Sequence, residues 1–315
     1  MATAAASSSV PLFSYDSLVH ALAGATGSAT AMTAFYPLDA ARVRLQVDDK
    51  RQARHTPHVI AEIIQEEGVG SLYRGLVPVL QSLYCSNFVY FYAYNSLKMM
   101  TYGGNRKPGA AKDLAIGFIA GVINVLVTTP LWVANTRLKL QGVVMKSKID
   151  KEIRHPKYNG MVDALRRIYS EEGVQSLWSG TVPSLFLVAN PSIQFAVYEA
   201  LKRWQRRHSS ELSGLTIFLM GAVAKATATV ATYPLQVIQS RRRYHGDKEN
   251  DGKRQSFLEM VINLFKTQNI RGLYKGLEAK LLQTVLMAAL MFLTYEKIAA
   301  FVFTVMRVKP IAKKH

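Results

Sequence analysis

Three stretches of this chain share one pattern, and that pattern limits what it can fold into. They are Pro37-Leu38-Asp39-Ala40-Ala41-Arg42-Val43-Arg44-Leu45-Gln46, Pro130-Leu131-Trp132-Val133-Ala134-Asn135-Thr136-Arg137 and Pro234-Leu235-Gln236-Val237-Ile238-Gln239-Ser240-Arg241. Their prolines lie 93 and 104 residues apart. Recurrence at a near-constant period marks an internal repeat, here threefold. An apolar run, Ser17–Tyr36, leads into the first stretch with His20 as its only ionisable group. Asp39 and Arg42 are three residues apart and so share a helix face. A proline at this point kinks a helix without ending it, provided neighbouring helices satisfy the freed backbone groups.

Six windows are apolar enough to read as membrane spans: Ser17–Tyr36, Leu76–Tyr94, Leu114–Trp132, Thr181–Tyr198, Gly214–Tyr233 and Leu281–Tyr295. Most approach the ~20 residues that a bilayer requires. Five contain no Lys, Arg, Asp or Glu, and the sixth window continues past Glu296-Lys297 into Ile298–Met306. The mean hydropathy of +0.07 is low for a chain made only of spans, so long polar connectors are expected between them. A soluble protein with a buried helical core is the competing reading; near-chargeless windows of this number argue against it. The net charge of +18 alone would suggest nucleic-acid binding. The excess sits in connectors such as 139–157 and 241–254. The positive-inside rule accounts for some of it, and a basic, water-filled cavity for an anionic solute accounts for more. The single cysteine, Cys85, excludes an internal disulfide and reads as a small packing residue. Met1–Asp16 has no basic residue, so it resembles neither a transit peptide nor the start of a signal peptide. Lys313-Lys314-His315 is not the Ser-Lys-Leu tag.

Each repeat runs in the same order. A small-residue-rich helix ends in the proline stretch; Gly24, Gly27 and Ser28, then Gly117 and Gly121, then Gly221, Ala222 and Ala226 allow close helix approach. A polar loop leads to a short amphipathic helix. His58–Glu67 carries Val59, Ile60, Ile63 and Ile64; Met161–Glu172 carries Leu165, Ile168 and Tyr169; Phe257–Gln268 carries Met260, Val261, Leu264 and Phe265. These are helical spacings. A connector follows, Glu67-Gly68-Val69-Gly70-Ser71-Leu72-Tyr73-Arg74-Gly75, matched by Glu172–Gly180 and more weakly by Gln268–Gly276. Its glycines suit turns and helix starts. A second span then closes on Tyr94-Asn95-Ser96-Leu97-Lys98, Tyr198-Glu199-Ala200-Leu201-Lys202 or Tyr295-Glu296-Lys297-Ile298-Ala299.

These motifs resemble the mitochondrial carrier (solute carrier 25) family over residues 14–305. Thr129–Leu138, Asn190-Pro191-Ser192-Ile193-Gln194-Phe195 and Lys225, nine residues before Pro234, are similar to the branch that carries flavin, folate, pyrimidine and NAD. The runs Lys275–Leu286 and Cys85–Tyr92 resemble its peroxisomal members. The resemblance implies an all-α membrane protein of six transmembrane helices in three tandem repeats of about 100 residues. These would form a pseudo-threefold barrel around a cavity, with short amphipathic helices on the lumenal side. The implied repeats are 14–105, 106–209 and 210–305, with 1–13 and 306–315 as flexible tails.

By the same resemblance a lumenal gate is formed by Pro37, Asp39, Arg42, Gln46, Pro130, Trp132, Asn135, Pro234, Gln236 and Gln239. Asp39 would face Asn135, Trp132 would face Gln239, and Gln236 would face Arg42. The family pattern has acids at Trp132 and Gln236 and bases at Asn135 and Gln239, so no complete ion pair is expected there. Gln46 holds the bracing glutamine position; Lys139 and Arg243 stand in the matching places. The cytosolic gate comprises Tyr94, Asn95, Lys98, Tyr198, Glu199, Lys202, Tyr295 and Glu296. Glu296 would pair with Lys98 and Asn95 would meet Lys202, while Glu199 would face Ala299. An exposed pair contributes only ~0–1 kcal/mol. Both gates are therefore expected to open easily, consistent with net uniport or loosely coupled exchange.

Lys225 is the sharpest solute-binding candidate. Burying a lysine at mid-membrane costs ~2.5–3.5 kcal/mol on insertion scales, and nine residues place it ~13 Å along the helix from Pro234. Its ammonium suits a phosphate or diphosphate; the structural alternative is a lysine bonded to backbone carbonyls. The family's contact levels map to Ser82, to Phe186 and Leu187, and to Gln283 and Thr284. Many relatives carry arginine near Gln283, so a direct anion clamp is absent there. Lys280, one turn away, either substitutes for it or snorkels to the interface. Asn87 and Asn190 suit an adenine edge, and Tyr84, Tyr90, Phe91 and Tyr94 suit stacking or packing. Arg241-Arg242-Arg243 reads as a positive loop boundary, a lipid-headgroup site or a contact for a peroxisomal membrane-protein import receptor.

The sequence has no Walker-type phosphate loop and no paired Cys/His spacing. It reads as no enzyme, with no metal or bound cofactor. The resemblance implies a multi-pass peroxisomal membrane transporter. It would exchange coenzyme A, FAD or FMN, and adenine nucleotides (AMP, ADP, ATP), with NAD as a further solute. Its partners are membrane lipid and nucleotide-type anions, not nucleic acid. A mitochondrial inner-membrane carrier for flavin, folate or NAD keeps the fold and changes the address. A non-transporting membrane adaptor is the reading of a different class; a lysine inside a span argues against it.

Overall fold

The computed structural model describes residues 27–48, 51, 55–102, 109–143, 157–208, 213–246, 259, 262 and 272–290. The chain forms two compact units, 36–283 and 1–35 with 284–315. In the smaller unit, residues 27–34 and 284–290 are helical. The larger unit contains α1 (Tyr36–Val47), α2 (Thr56–Glu67), α3 (Leu76–Tyr102), α4 (Ala110–Leu140), α5 (Met161–Glu172), α6 (Thr181–Leu187), α7 (Asn190–His208) and α8 (Gly214–His245). Residues 277–283 are helical as well, and no strand occurs among the described residues. The fold is all-α, as the sequence indicates. His20, most of the third amphipathic segment, Tyr295 and Glu296 lie outside the described residues.

Among the described residues, two helices are long and apolar enough to cross a membrane, Lys112–Leu140 and Thr216–His245. Both run through a proline, Pro130 and Pro234 respectively. Proline cannot donate to the carbonyl four residues earlier. For Pro130 that carbonyl belongs to Leu126, and the Trp178 indole N–H donates to it at 2.8 Å. The connector aromatic thus repairs the bond that the proline removes. Tyr36 and Tyr233, each just before a proline, donate their hydroxyls to the connector carbonyls of Arg74 (2.9 Å) and Lys275 (2.7 Å). Their rings stack on Tyr73 and Tyr274.

The first two connectors become 3-10 turns, Val69–Tyr73 and Val174–Trp178. An arginine from the proline helix clamps the acid that precedes it. Arg44 forks onto Glu67 at 2.9 and 3.1 Å, and Arg137 forks onto Glu172. Such two-pronged ionic bonds are both strong and directional. Apolar packing repeats alongside them. Ala41, Leu45, Val59, Ile63 and Leu72 form one cluster, and Val133, Ala134, Leu138, Tyr158, Ala164, Ile168 and Leu177 form its counterpart. Burial raises the Tyr158 phenol above its ordinary pKa even with Arg137 beside it. Tyr233, Val237, Ile238 and Leu273 make the third cluster. Val43, Val47, Leu140 and Tyr244 join all three proline helices.

The fourth expected span, Thr181–Tyr198, is not one helix. It breaks at Val188-Ala189 between α6 and α7. Pro191 explains this: it has no amide proton to donate to the Leu187 carbonyl four residues earlier, so the helical hydrogen-bond ladder is interrupted there. The amides of Val188 and Ala189 instead bond three residues back, to Leu185 and Phe186. The break lies against Gly121, where an added Cβ would come within 2.6 Å of Val188. Two smaller expectations also change. Tyr169 points outward on α5, and Ala164 takes its place in the packed face. Cys85 is exposed on α3 rather than packed inside.

Gly75 has φ +79°, and a Cβ there would sit 2.9 Å from the Lys139 Cα; Gly68 has φ +81° with nothing within 4 Å. Left-handed backbone costs a non-glycine residue about 1–3 kcal/mol. Thermal unfolding in detergent should therefore show Gly68→Ala losing that amount and Gly75→Ala losing clearly more. Equal losses would mean that the α4 contact does not constrain the turn.

Candidate solute-binding cavity and gates

The ends of the proline helices meet in a polar cluster. The Asp39 carboxylate accepts from Arg42 on its own helix at 2.5 Å and from the Lys139 ammonium of α4. Lys139 also lies over the Tyr36 ring at 5.1 Å from its centre. Gln46 joins α1 to α8. It donates to the Tyr233 hydroxyl (3.1 Å), accepts from Ser240 (2.8 Å), and its carbonyl accepts from Arg241 (2.8 Å). Between α6 and α8, Gln239 donates to the Ser184 hydroxyl at 2.6 Å. On this side, polar contacts run from helix to helix.

A cavity of about 750 Å³ opens beyond this cluster. Its wall includes Ser86, Tyr90, Phe91 and Tyr94 of α3, Gly117, Gly121, Asn124, Thr128 and Trp132 of α4, Ser184 and Leu187 of α6, Phe195 of α7, and Gln239 and Arg243 of α8. Ser86 and Asn124 hydrogen-bond across α3 and α4 at 3.1 and 3.0 Å. A mostly aromatic and apolar wall with a few polar groups is the usual make-up of a small-molecule site, and the volume falls in the usual range. On the far side the Tyr102 hydroxyl of α3 donates to Asp113 of α4 at 3.1 Å, while the ionic and cation–π contacts among the described residues stay within single helices. Lys202 pairs with Glu199 at 3.7 Å and lies over Tyr198, and Lys98 lies over Tyr94.

The profile of the mitochondrial carrier protein family matches three times, at residues 14–105, 106–209 and 210–305. This chain belongs to the mitochondrial carrier family. It is a transporter, not an enzyme. The carrier is 53% identical over 307 residues to peroxisomal membrane protein PMP34 of Mus musculus, covering 96% of this chain and 99% of that one. It is 32% identical to the peroxisomal nicotinamide adenine dinucleotide carrier of Arabidopsis thaliana, covering 90% and 95% of the two chains. It is 29% identical to peroxisomal adenine nucleotide carrier 1 of Glycine max, covering 90% and 91%.

Among the residues expected to form the lumenal gate, the pairing differs from the one that the motifs imply. A complete ion pair is present: Lys139, at the bracing position, takes Asp39. It lies one turn beyond Asn135 on the same face and reaches further. Asn135 is buried with its carbonyl oxygen unpaired. Gln236 bonds Thr232 on its own helix (3.3 Å) instead of Arg42. Trp132 receives the Arg243 guanidinium over its ring at 5.7 Å, while Gln239 goes to Ser184. Pro37 sits in the first turn of α1, where no intrahelical donor is needed. On the cytosolic side, Lys202 is held by Glu199 and does not meet Asn95.

The solute-contact candidates separate. Leu187 lines the cavity and Lys225 is half-buried, with no hydrogen bond or ion pair from its side chain to the described residues. Lys280 lies within electrostatic reach of Asp39, Arg42, Lys139 and Lys225. Ser82 is fully buried and donates to the Pro78 carbonyl, so it faces packing rather than solute. Asn190 donates to Thr232 at 2.7 Å and ties α7 to α8. Asn87 and Phe186 are exposed and lie outside the cavity wall. Gln283 is buried, and Thr284 belongs to the smaller unit. Sequence reasoning missed Ser86, Asn124, Thr128 and Ser184. One signal for Asn124 was available: it is the only amide side chain in Leu114–Trp132, and polar groups inside spans mark function.

Lys139→Gln keeps a bracing side chain but leaves Asp39 with Arg42 alone. A hydrogen bond to a charged group contributes about 1.5–3 kcal/mol. The variant should melt several degrees lower in detergent, and Lys139→Arg should stay near the native value. An unchanged midpoint in Lys139→Gln would show that the pair does not hold the gate.

Proposed function

We propose that this carrier exchanges coenzyme A, FAD or FMN, and adenine nucleotides by alternating access. It is a multi-pass protein of the peroxisomal membrane and moves nucleotide-type solutes. Similarity to carriers named for peroxisomal NAD and adenine nucleotides supports the solute class. The observation that carries the reading is the cavity itself. Tyr90, Phe91, Tyr94 and Phe195 offer flat apolar faces to a ring, and the Ser86–Asn124 pair offers donors and acceptors to its edge. Lys225 is half-buried and is not one of the residues that line this wall; in this reading its ammonium meets phosphate as the solute passes. Coenzyme A, FAD and the adenine nucleotides are transported solutes in this reading, not cofactors. NAD fits the same wall, and the Arabidopsis relative's name favours including it. Import-receptor binding through Arg241-Arg242-Arg243 has less support, because Arg241 and Arg242 are buried at 5% and 6% exposure.

Exchange in proteoliposomes tests the proposal. Vesicles loaded with coenzyme A should take up labelled AMP or FAD, and uptake should depend on the internal solute. Lys225→Ala should lower that uptake about tenfold or more, the scale of one lost hydrogen bond to a charged group. Uptake that survives the substitution would return Lys225 to a structural role. Correctly folded protein that exchanges no nucleotide-type solute would favour the adaptor.

A further inference from the structure

The cations at the proline end are unequally neutralised. Arg42 and Lys139 share the Asp39 carboxylate. Arg44 and Arg137 are clamped by Glu67 and Glu172. Arg243 reaches the cavity wall, and no carboxylate among the described residues pairs with it. Its guanidinium rests over Trp132 at 5.7 Å, and one nitrogen donates to the Ser184 hydroxyl at 3.4 Å. Its Nε is buried without an acceptor.

The surroundings fix this side chain in place. Its backbone carbonyl accepts from Arg137 at 3.4 Å. Its stem passes Gly180, where an added Cβ would meet the Arg243 Cγ at 3.2 Å and the Gln239 carbonyl at 3.3 Å. A planar guanidinium that is stacked on an aromatic ring and pre-oriented loses little freedom when it binds phosphate through two N–H groups. The cavity's own carboxylate, Asp113, bonds to the Tyr102 hydroxyl at 3.1 Å. Asp113 and Trp132 are nineteen residues apart on α4, about 28 Å along its axis. Asn124 lies eight residues from Trp132, about 12 Å. The cavity is therefore cationic at its floor, amide-bearing in the middle and acidic at its mouth.

We propose that Arg243, braced by Trp132 and Ser184, is a phosphate-binding subsite at the cavity floor and receives the terminal phosphate of the transported solute. This rests on the nucleotide-carrier reading and adds the end of the solute that faces the lumenal gate. The phosphate would supply an anionic partner that no carboxylate among the described residues provides.

Thermal stabilisation of purified, full-length carrier in detergent tests the subsite, with adenosine, AMP, ADP, inorganic diphosphate and phosphatidylglycerol as separate probes. The native protein should be stabilised increasingly from adenosine to AMP to ADP. Arg243→Gln keeps a side chain that can reach Ser184 but removes the charge. It should bind ADP about tenfold or more weakly, the scale of one lost charged hydrogen bond, with adenosine unchanged. Arg243→Lys should recover part of the ADP affinity. Equal ADP affinity in native and Arg243→Gln protein would overturn the subsite and leave the carrier reading intact. Stabilisation by phosphatidylglycerol alone, lost in Arg243→Gln, would assign the guanidinium to a lipid headgroup and overturn the solute subsite. A native protein that responds to no phosphate-bearing solute would overturn both.

Discussion

Everything in this fold depends on one constraint: a polar backbone group in apolar surroundings must find a partner within the protein. A proline in a spanning helix breaks that rule unless another residue repairs it. The Trp178 indole donates to the carbonyl freed by Pro130, and Tyr36 and Tyr233 reach the neighbouring connectors through their hydroxyls. The indole bond repairs the helix at Pro130 and ties it to its connector, and the two tyrosine bonds tie the other proline helices to theirs. The connector in turn carries the acid that the helix arginine clamps. Proline, aromatic, acid and arginine thus form one linked unit, which explains why they recur together along the chain.

The third unit departs from this scheme, with a physical consequence. Where the first two connectors begin with Glu67 and Glu172, the third begins with Gln268. The sequence has no glutamate at the matching position, and Arg241 donates to the Gln46 carbonyl on α1. A bond that closes a repeat on itself in two cases links separate repeats in the third. Lys139 shows the same economy. A charge at a bracing position takes over the gate pairing that Asn135 cannot make with full strength.

Much of the fold is legible in the sequence, because periodicity and punctuation are local. Met161–Glu172 is helical over the expected residues, and the connector glycines Gly68, Gly75, Gly173, Gly180 and Gly276 take the left-handed conformations that turns require. What the sequence hides depends on reach. Nothing local shows that Lys139 extends to Asp39 while Asn135 does not, or that Ser82 turns back to its own helix. The break before Pro191 was visible as a proline, but read as part of a longer apolar window. Arg243 was hidden by its neighbours. Three consecutive arginines look like a charged boundary, yet helical geometry turns each about 100° from the last, and one of them enters the cavity.

The distribution of ionic contacts gives the carrier a direction. On the proline side they cross between helices; on the far side, among the described residues, Lys202 is satisfied by Glu199 on the same helix. A contact inside one helix is unaffected when that helix moves relative to its neighbours, whereas a contact between helices must break. Parting the helices at the proline end must therefore separate Asp39 from Lys139, whereas the Glu199–Lys202 pair moves with its own helix.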